Sequence, residues 1–254
     1  MELNYKVFGQ GPPVIILHGL LGMLDNWQSI ARKLADDFTV FIVDQRNHGK
    51  SPHTTELSYE LMAEDLRVFM EEHWIYGAHI IGHSMGGKTA MYFTIANPDM
   101  VEKLIVVDIN ITQSKPGHQD IFDALFSINP PALSSRKEAD SQLETLIPDF
   151  GVRQFLLKNI GRDSEGQLTW KMNLQGIYDN YVNILAAVPS DEPFDGETLF
   201  IRGGRSDYLS ENDIEGIQTI FTNAKMETIE EAGHWVHAEQ PVQFLESVQN
   251  FLMV

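Results

Sequence analysis

The sequence predicts an α/β fold, a mostly parallel twisted sheet with helices on both faces. Three observations carry that expectation. Short apolar strands alternate with amphipathic helical stretches along most of the 254 residues, the pattern that calls for parallel strands covered on both sides. Several strands are apolar at consecutive positions, as in Val14-Ile15-Ile16-Leu17, which suits burial of both faces. Between one apolar run and one helical stretch stands Gly82-His83-Ser84-Met85-Gly86, a G-x-S-x-G sequence of the kind that makes a sharp strand-to-helix turn.

Taken in order, strands are expected at Leu3 to Phe8, Val14 to Leu17, Thr39 to Val43, His79 to Ile81, Leu104 to Asp108, Thr198 to Arg202 and Met226 to Ile229. Between them, Trp27, Ile30, Ala31 and Leu34 form one apolar stripe at helical spacing. Met62, Leu66, Phe69 and Met70 form another, after a serine at position 58 that suits an N-cap. Pro241 opens a last helix with Phe244, Leu245, Val248 and Leu252 as its apolar residues.

The alternation breaks between Asn110 and Ser190, where helical patterns follow one another without a core strand. Ile121, Ala124, Leu125 and Ile128 form one such pattern, Val152, Phe155 and Leu156 the next, and Leu174, Ile177, Tyr178, Tyr181, Ile184 and Leu185 the last. The expected organisation is one α/β core made of residues 1–110 and 191–254, with a helical lid over 111–190. So long an insertion needs structure of its own, and its place at the strand ends suits a lid. Phe122, Phe126, Phe155, Trp170 and Tyr178 are the candidate pocket walls, with packing between lid helices as the alternative use of each.

The G-x-S-x-G sequence gives the chemistry. A turn so sharp holds Ser84 in a strained conformation at a helix N-terminus, and small flanking residues let strand and helix approach closely. There the helix dipole and the backbone N–H of Met85 favour an anion beside the serine. The run Pro13 to Leu17 leads straight into His18-Gly19-Leu20-Leu21-Gly22. A loop in that place supplies the second oxyanion donor in this architecture, which makes the Leu20 N–H the candidate. Near the C-terminus, Ala232-Gly233-His234-Trp235 follows the last strand. His234 is the expected general base, because the preceding glycine gives a reaching imidazole its flexible loop, whereas His237 already lies in the approach to the last helix.

These pieces, with Asp44-Gln45-Arg46-Asn47-His48-Gly49-Lys50-Ser51, Pro98-Asp99-Met100-Val101, Glu239 and Pro241, resemble the α/β-hydrolase superfamily from end to end. The D-x-R-x-x-G-x-S loop and the pair Gly203-Gly204 look most like the small intracellular carboxylesterases grouped with abhydrolase-domain protein eleven. The resemblance implies a serine hydrolase that cleaves carboxylic esters, thioesters included, through a Ser-His-Asp triad and an acyl-enzyme; a small lid bounding the pocket favours acyl chains of short to medium length. It implies no cofactor and no metal. In most relatives the triad acid follows the penultimate strand. Here that position falls on Ser206, with Asp207 one step later. Asp108 ends the strand beyond the nucleophile's, and adjacent parallel strands lie about 5 Å apart, so either carboxylate can reach the imidazole. The subgroup resemblance favours Asp108, with Ser206 as its helper and Asp207 as the alternative acid.

Composition bounds the rest. A chain of 254 residues suits one domain with a full core. A formal charge of −18 and a pI of about 4.7 oppose binding to phosphate backbones, so nucleic acid is not an expected partner. Cysteine is absent, which fits a reducing compartment. The first residues carry no signal-peptide pattern and no apolar run approaches a membrane span, so the expected location is cytoplasmic. Oligomeric state is not legible. The same fold carries two other readings. A cofactor-free lyase acting on a carboxylated metabolite would want Arg136, Arg153 or Arg162 over the pocket. A non-catalytic receptor for a small ligand would need no intact triad.

Overall fold

The computed structural model describes residues 1–189 and 192–253. Its main sheet has seven strands: β1 (Tyr5–Phe8), β2 (Pro13–Leu17), β3 (Thr39–Val43), β4 (Ala78–His83), β5 (Val101–Val107), β8 (Thr198–Gly203) and β9 (Ala224–Ile229). They lie in the order β1-β3-β2-β4-β5-β8-β9. Only the edge strand β1 runs antiparallel, against β3. Each expected strand is present, with ends shifted by a few residues.

Alternate side chains of the central strands enter opposite cores, because successive residues of a strand point to opposite faces. Ile15, Leu17, Ile80, Leu104 and Val106 pack against Leu66, Phe69 and Met70 of α2 (Tyr59–Glu72) and Ala90, Met91 and Phe93 of α3 (Met85–Ala96). Val14, Ile16, Ile81, Ile105 and Val107 pack instead against Ile30, Ala31 and Leu34 of α1 (Gln28–Leu34) and Phe244, Val248 and Leu252 of α11 (Pro241–Leu252). The two-sided burial explains why these strands are apolar throughout.

Topology fixes where a site can form. From β2 the chain moves outward to β3, then returns across β2 to β4. Loops leaving the carboxyl ends of β2 and β4 therefore diverge and leave a crevice, the place where open α/β sheets bind ligands. Register brings the ends level, with Leu17 opposite Gly82, His83 opposite Val107 and Val107 opposite Ile201.

Between β5 and β8 run α4 (Gln119–Ser127), α5 (Arg136–Leu143), α6 (Phe150–Leu157), the short antiparallel pair β6 (Ile160–Arg162) and β7 (Leu168–Trp170), α7 (Leu174–Asp179) and α8 (Tyr181–Ile184). This segment has an apolar core of its own, containing Phe122, Leu125, Leu143, Leu156, Ile160 and Ile177, that meets Leu21, Leu57, Tyr59 and Met85 of the α/β core. Helices α9 (Ile214–Ile217) and α10 (Val236–Glu239) complete the fold.

The D-x-R-x-x-G-x-S loop seats that segment. Asp44 accepts hydrogen bonds from the backbone N–H groups of Leu24 at 2.7 Å and Lys50 at 2.9 Å. The turn this closes puts Asn47 and Gly49 at positive φ, and a Cβ on Gly49 would lie 2.1 Å from the Asp44 carboxylate. The carbonyl of Asn47 accepts from the Asn173 N–H at 2.8 Å. Arg46 forks onto Asp65 of α2, Nε at 2.6 Å and Nη2 at 2.8 Å, both residues buried. Removing Arg46 leaves the buried Asp65 carboxylate with only the Met1 ammonium near it, 3.5 Å from Oδ1. Arg46→Met should therefore cost about 3–5 kcal/mol of unfolding free energy, measured by denaturant titration; a loss below about 1 kcal/mol, the worth of an exposed pair, would contradict the role.

Candidate functional site

Ser84 stands between β4 and α3 at φ +53° and ψ −118°, a conformation that costs free energy for a side-chain residue. Its neighbours show what enforces it. A Cβ on Gly82 would lie 2.2 Å from the Gly86 carbonyl oxygen, and one on Gly86 would lie 2.4 Å from the Leu17 carbonyl oxygen. No side chain fits at either position. Met85 begins α3, so its N–H has no acceptor within the helix and stays available beside the serine.

The loop after β2 is equally fixed. The carbonyl of Gly19 accepts from His18 Nδ1–H at 2.8 Å and from the Gly22 N–H at 3.0 Å. His18 Nε2 accepts from the Gln45 N–H at 3.0 Å, which puts the ring proton on Nδ1. In a trans peptide the N–H opposes the C=O, so the Leu20 N–H points away from these donors. Leu20 and Ser84 line the same cavity.

Asp108 directly follows β5 at φ +51° and is fully buried. One oxygen, Oδ1, accepts from the Gly203 N–H at 3.0 Å. The other, Oδ2, lies 2.7 Å from His234 Nδ1 and also accepts from the Ser206 hydroxyl. Asp207, the alternative acid, is exposed. On the loop between β9 and α10, the carboxylate of Glu239 grips both sides of His234, accepting from Gly233 N–H at 2.7 Å and Trp235 N–H at 3.2 Å. His83 Nε2–H donates to the His234 carbonyl at 2.8 Å, and the Tyr208 ring stacks on the imidazole at 4.0 Å between centroids. His237, the competing base, is buried and stacked on Trp27 at 3.9 Å.

Two chambers meet at Ser84. A cavity of about 200 Å³ holds Ser84 and His234, with Leu20, Ile121, Phe155 and Trp235 among its walls. A smaller one, about 30 Å³, holds Ser84 and Met85, with Tyr59, Ile109 and Leu185 among its walls. Leu20, His118 and Tyr208 border both. Together the groups can carry nucleophilic acyl transfer, with a serine on a strained turn, an imidazole ordered by a carboxylate, and two N–H groups for an oxyanion.

Of the five aromatic side chains expected as pocket walls, Phe155 alone borders the cavity around Ser84. Phe122 is buried in the core of the inserted segment. Phe126 and Trp170 line a separate groove, and Tyr178 packs edge-on against Phe122 and Phe126. Helical periodicity marks an apolar face but not whether that face meets its own core or a cavity. The three arginines are engaged elsewhere: Arg136 on the Ile160 carbonyl, Arg153 on Asp140 and the carbonyls of Ile147 and Pro148, Arg162 on the Gly166 carbonyl. Sequence reasoning missed His83, Tyr208 and His118. Only His83 carried a signal, its place inside the G-x-S-x-G sequence.

Residues 12–241 match the family described as alpha/beta hydrolase fold, and the chain belongs to that family. Within it the chain is a hydrolase that groups with the sn-1-specific diacylglycerol lipase ABHD11 of Mus musculus, to which it is 37% identical over 95% of this chain and 81% of that one. It is 35% identical to Esterase YbfF of Escherichia coli, over 94% of this chain and 92% of that one. Among solved structures, a marine microorganism esterase superposes with a TM-score of 0.96 at 46% identity, covering 98% of this chain and 99% of that one. Among the described residues, no helix is long and apolar enough to cross a membrane.

Burial keeps the imidazoles around the site neutral. It lowers His18 to about 4, and His48 and His237 to about 3, from an ordinary value of 6.5. His83 is pushed well down for the same reason. Between pH 6.5 and the lowered values the unfolded chain binds more protons than the folded one, so stability falls as pH falls through that window. Melting at pH 5 should come well below melting at pH 7.5. His237→Phe, which keeps the stack on Trp27, should narrow the gap; an unchanged gap would remove His237 from the account.

Proposed function

We propose that the protein is a carboxylesterase acting on short to medium acyl esters, with Ser84 as nucleophile, His234 as general base, Asp108 as the acid that orients it, and the N–H groups of Leu20 and Met85 as the oxyanion hole. The observation that carries the reading is the 2.7 Å bond to the buried Asp108 from His234, which lines the cavity that holds Ser84. His234 takes the serine proton as the hydroxyl attacks the ester carbonyl. It then protonates the departing alcohol, and water activated by the same imidazole hydrolyses the acyl-enzyme. Thioesters suit the same machinery.

The chambers support the substrate range. A leaving group that takes its proton from His234 belongs in the larger cavity, which holds that residue, and the acyl chain in the smaller. Acyl groups of few carbons suit about 30 Å³, and larger ones require the segment 111–190, read as a lid, to move. The lyase reading loses support because its three candidate arginines bind backbone carbonyls and one aspartate. A chain without cysteine supports a cytoplasmic site of action.

Ser84→Ala should stay folded and lose several orders of magnitude in turnover of p-nitrophenyl esters, whose rates in the parent protein should fall as the acyl chain lengthens. His234→Ala should match it, and His237→Ala should not. Turnover that survives Ser84→Ala, or rates that rise steadily with chain length, would refute the assignment.

Asp108→Asn should lower turnover by about 10⁴-fold, since an amide favours the wrong tautomer and cannot support the imidazolium. Ser206→Ala should cost about five- to tenfold, the worth of one neutral hydrogen bond. Asp207→Asn should change little. The reverse order for the two acids, in variants that melt normally, would move the acid to Asp207.

A further inference from the structure

Leu21, next to the candidate oxyanion donor, has φ +59°, a left-handed conformation that favours glycine and is costly for leucine. Something must hold it there. Its N–H donates to His48 Nε2 at 3.2 Å, and its carbonyl accepts from Asn159 Nδ2 at 2.7 Å. The two partners come from opposite sides. His48 belongs to the D-x-R-x-x-G-x-S loop of the α/β core, where its Nδ1–H donates to the Arg46 carbonyl at 2.9 Å and so leaves Nε2 as an acceptor. Asn159 belongs to the inserted segment, between α6 and β6.

Asn159 is built for this contact. It is fully buried, and its backbone is pinned on both sides, the N–H on the Leu156 carbonyl at 3.0 Å and the carbonyl on the Lys171 N–H at 2.7 Å. Its Oδ1 has no hydrogen-bond partner among the described residues, an arrangement that costs free energy in a buried amide. A residue serving packing alone would be apolar there. The bond to Leu21 is what the amide contributes.

We propose that Asn159 is a positioning residue for the oxyanion hole, acting through Leu21. With His48 it clamps the Leu21 residue at both its N–H and its carbonyl, and the clamped residue sets the path of the loop that aims the Leu20 N–H at the reacting carbonyl. The segment 111–190 thereby takes part in transition-state stabilisation besides bounding the pocket. Helix α6, which ends two residues before Asn159, presents Val152, Phe155 and Leu156 to the larger cavity, so the wall a substrate touches and the clamp on the oxyanion loop adjoin in one stretch of chain. This inference rests on the reading of Ser84 and Leu20 given above.

The test is Asn159→Leu, close in volume and without the donor, with Asn159→Ala as the second variant should the branched side chain not fit. Steady-state kinetics on p-nitrophenyl butyrate and inhibition by butylboronic acid, whose serine adduct carries an oxygen in the oxyanion hole, are compared with the parent. Misaiming one of two oxyanion donors should lower kcat about 10- to 100-fold and weaken the boronic acid by a similar factor, with KM within about twofold because ground-state binding does not use the hole. A folded variant with kcat within about twofold of the parent, or one that raises KM alone, overturns the proposal and leaves Asn159 a packing residue. Ser84→Ala run alongside keeps the two readings apart: its retaining turnover would sink the nucleophile, whereas its inactivity with unaltered Asn159 variants would sink only the clamp.

Discussion

Crowding at the carboxyl ends of β2 and β4 is the constraint on which the rest of the site depends. The Gly86 α-carbon lies so close to the Leu17 carbonyl, and that of Gly82 to the Gly86 carbonyl, that neither position admits a side chain. That contact forces the backbone of Ser84 to φ +53° and lets α3 begin directly beside the serine. A looser turn would start the helix elsewhere and leave no free N–H next to the hydroxyl. Strain at Ser84 is therefore part of the arrangement, held by a sheet whose two apolar cores over-determine it.

Around that turn the protein uses neutral imidazoles as fixed donors and acceptors. His18 sets the Gly19 carbonyl, His48 receives the Leu21 N–H, and His83 carries the His234 carbonyl. A buried ring has one N–H and one lone pair once desolvation has removed its second proton, so each partner dictates the tautomer. Three buried histidines do in this way what ordered water would do in an open cleft. His234, only partly buried, is the member of the group bonded to a carboxylate.

The sequence made the scaffold legible because burial on both faces leaves strands apolar at every position, and the crowded turn left its glycines in plain view. His234 could be told from His237 by the glycine before it, and the structure has His237 stacked on Trp27. The residues alone left Asp108 and Asp207 level, since strand ends about 5 Å apart offer either carboxylate to the same imidazole. The pocket walls were not legible. Phe122 and Phe155 both stand on amphipathic helices, yet one turns into the core of the insertion and the other toward the cavity. That choice depends on how the segment's helices pack on each other, and no local pattern encodes it. Tyr208 stacks on the imidazole from a loop with no distinguishing signal.

Asp108 closes the strand from which the inserted segment departs, with its own N–H bonded to the Ile201 carbonyl and the Ser84 N–H bonded to the neighbouring Val107 carbonyl. Ser84 and Asp108 are thus rooted at the end of one strand, β5, through the ladders on its two sides, and the turn after β8 supplies only a hydroxyl and a backbone N–H to the carboxylate. That turn is released from carrying the charge and can change length or sequence at modest expense to the machinery. The stem of the insertion has the opposite fate: any change in how it leaves the sheet is transmitted at once to the carboxylate, so remodelling the roof of this enzyme is mechanically coupled to Asp108 beneath it.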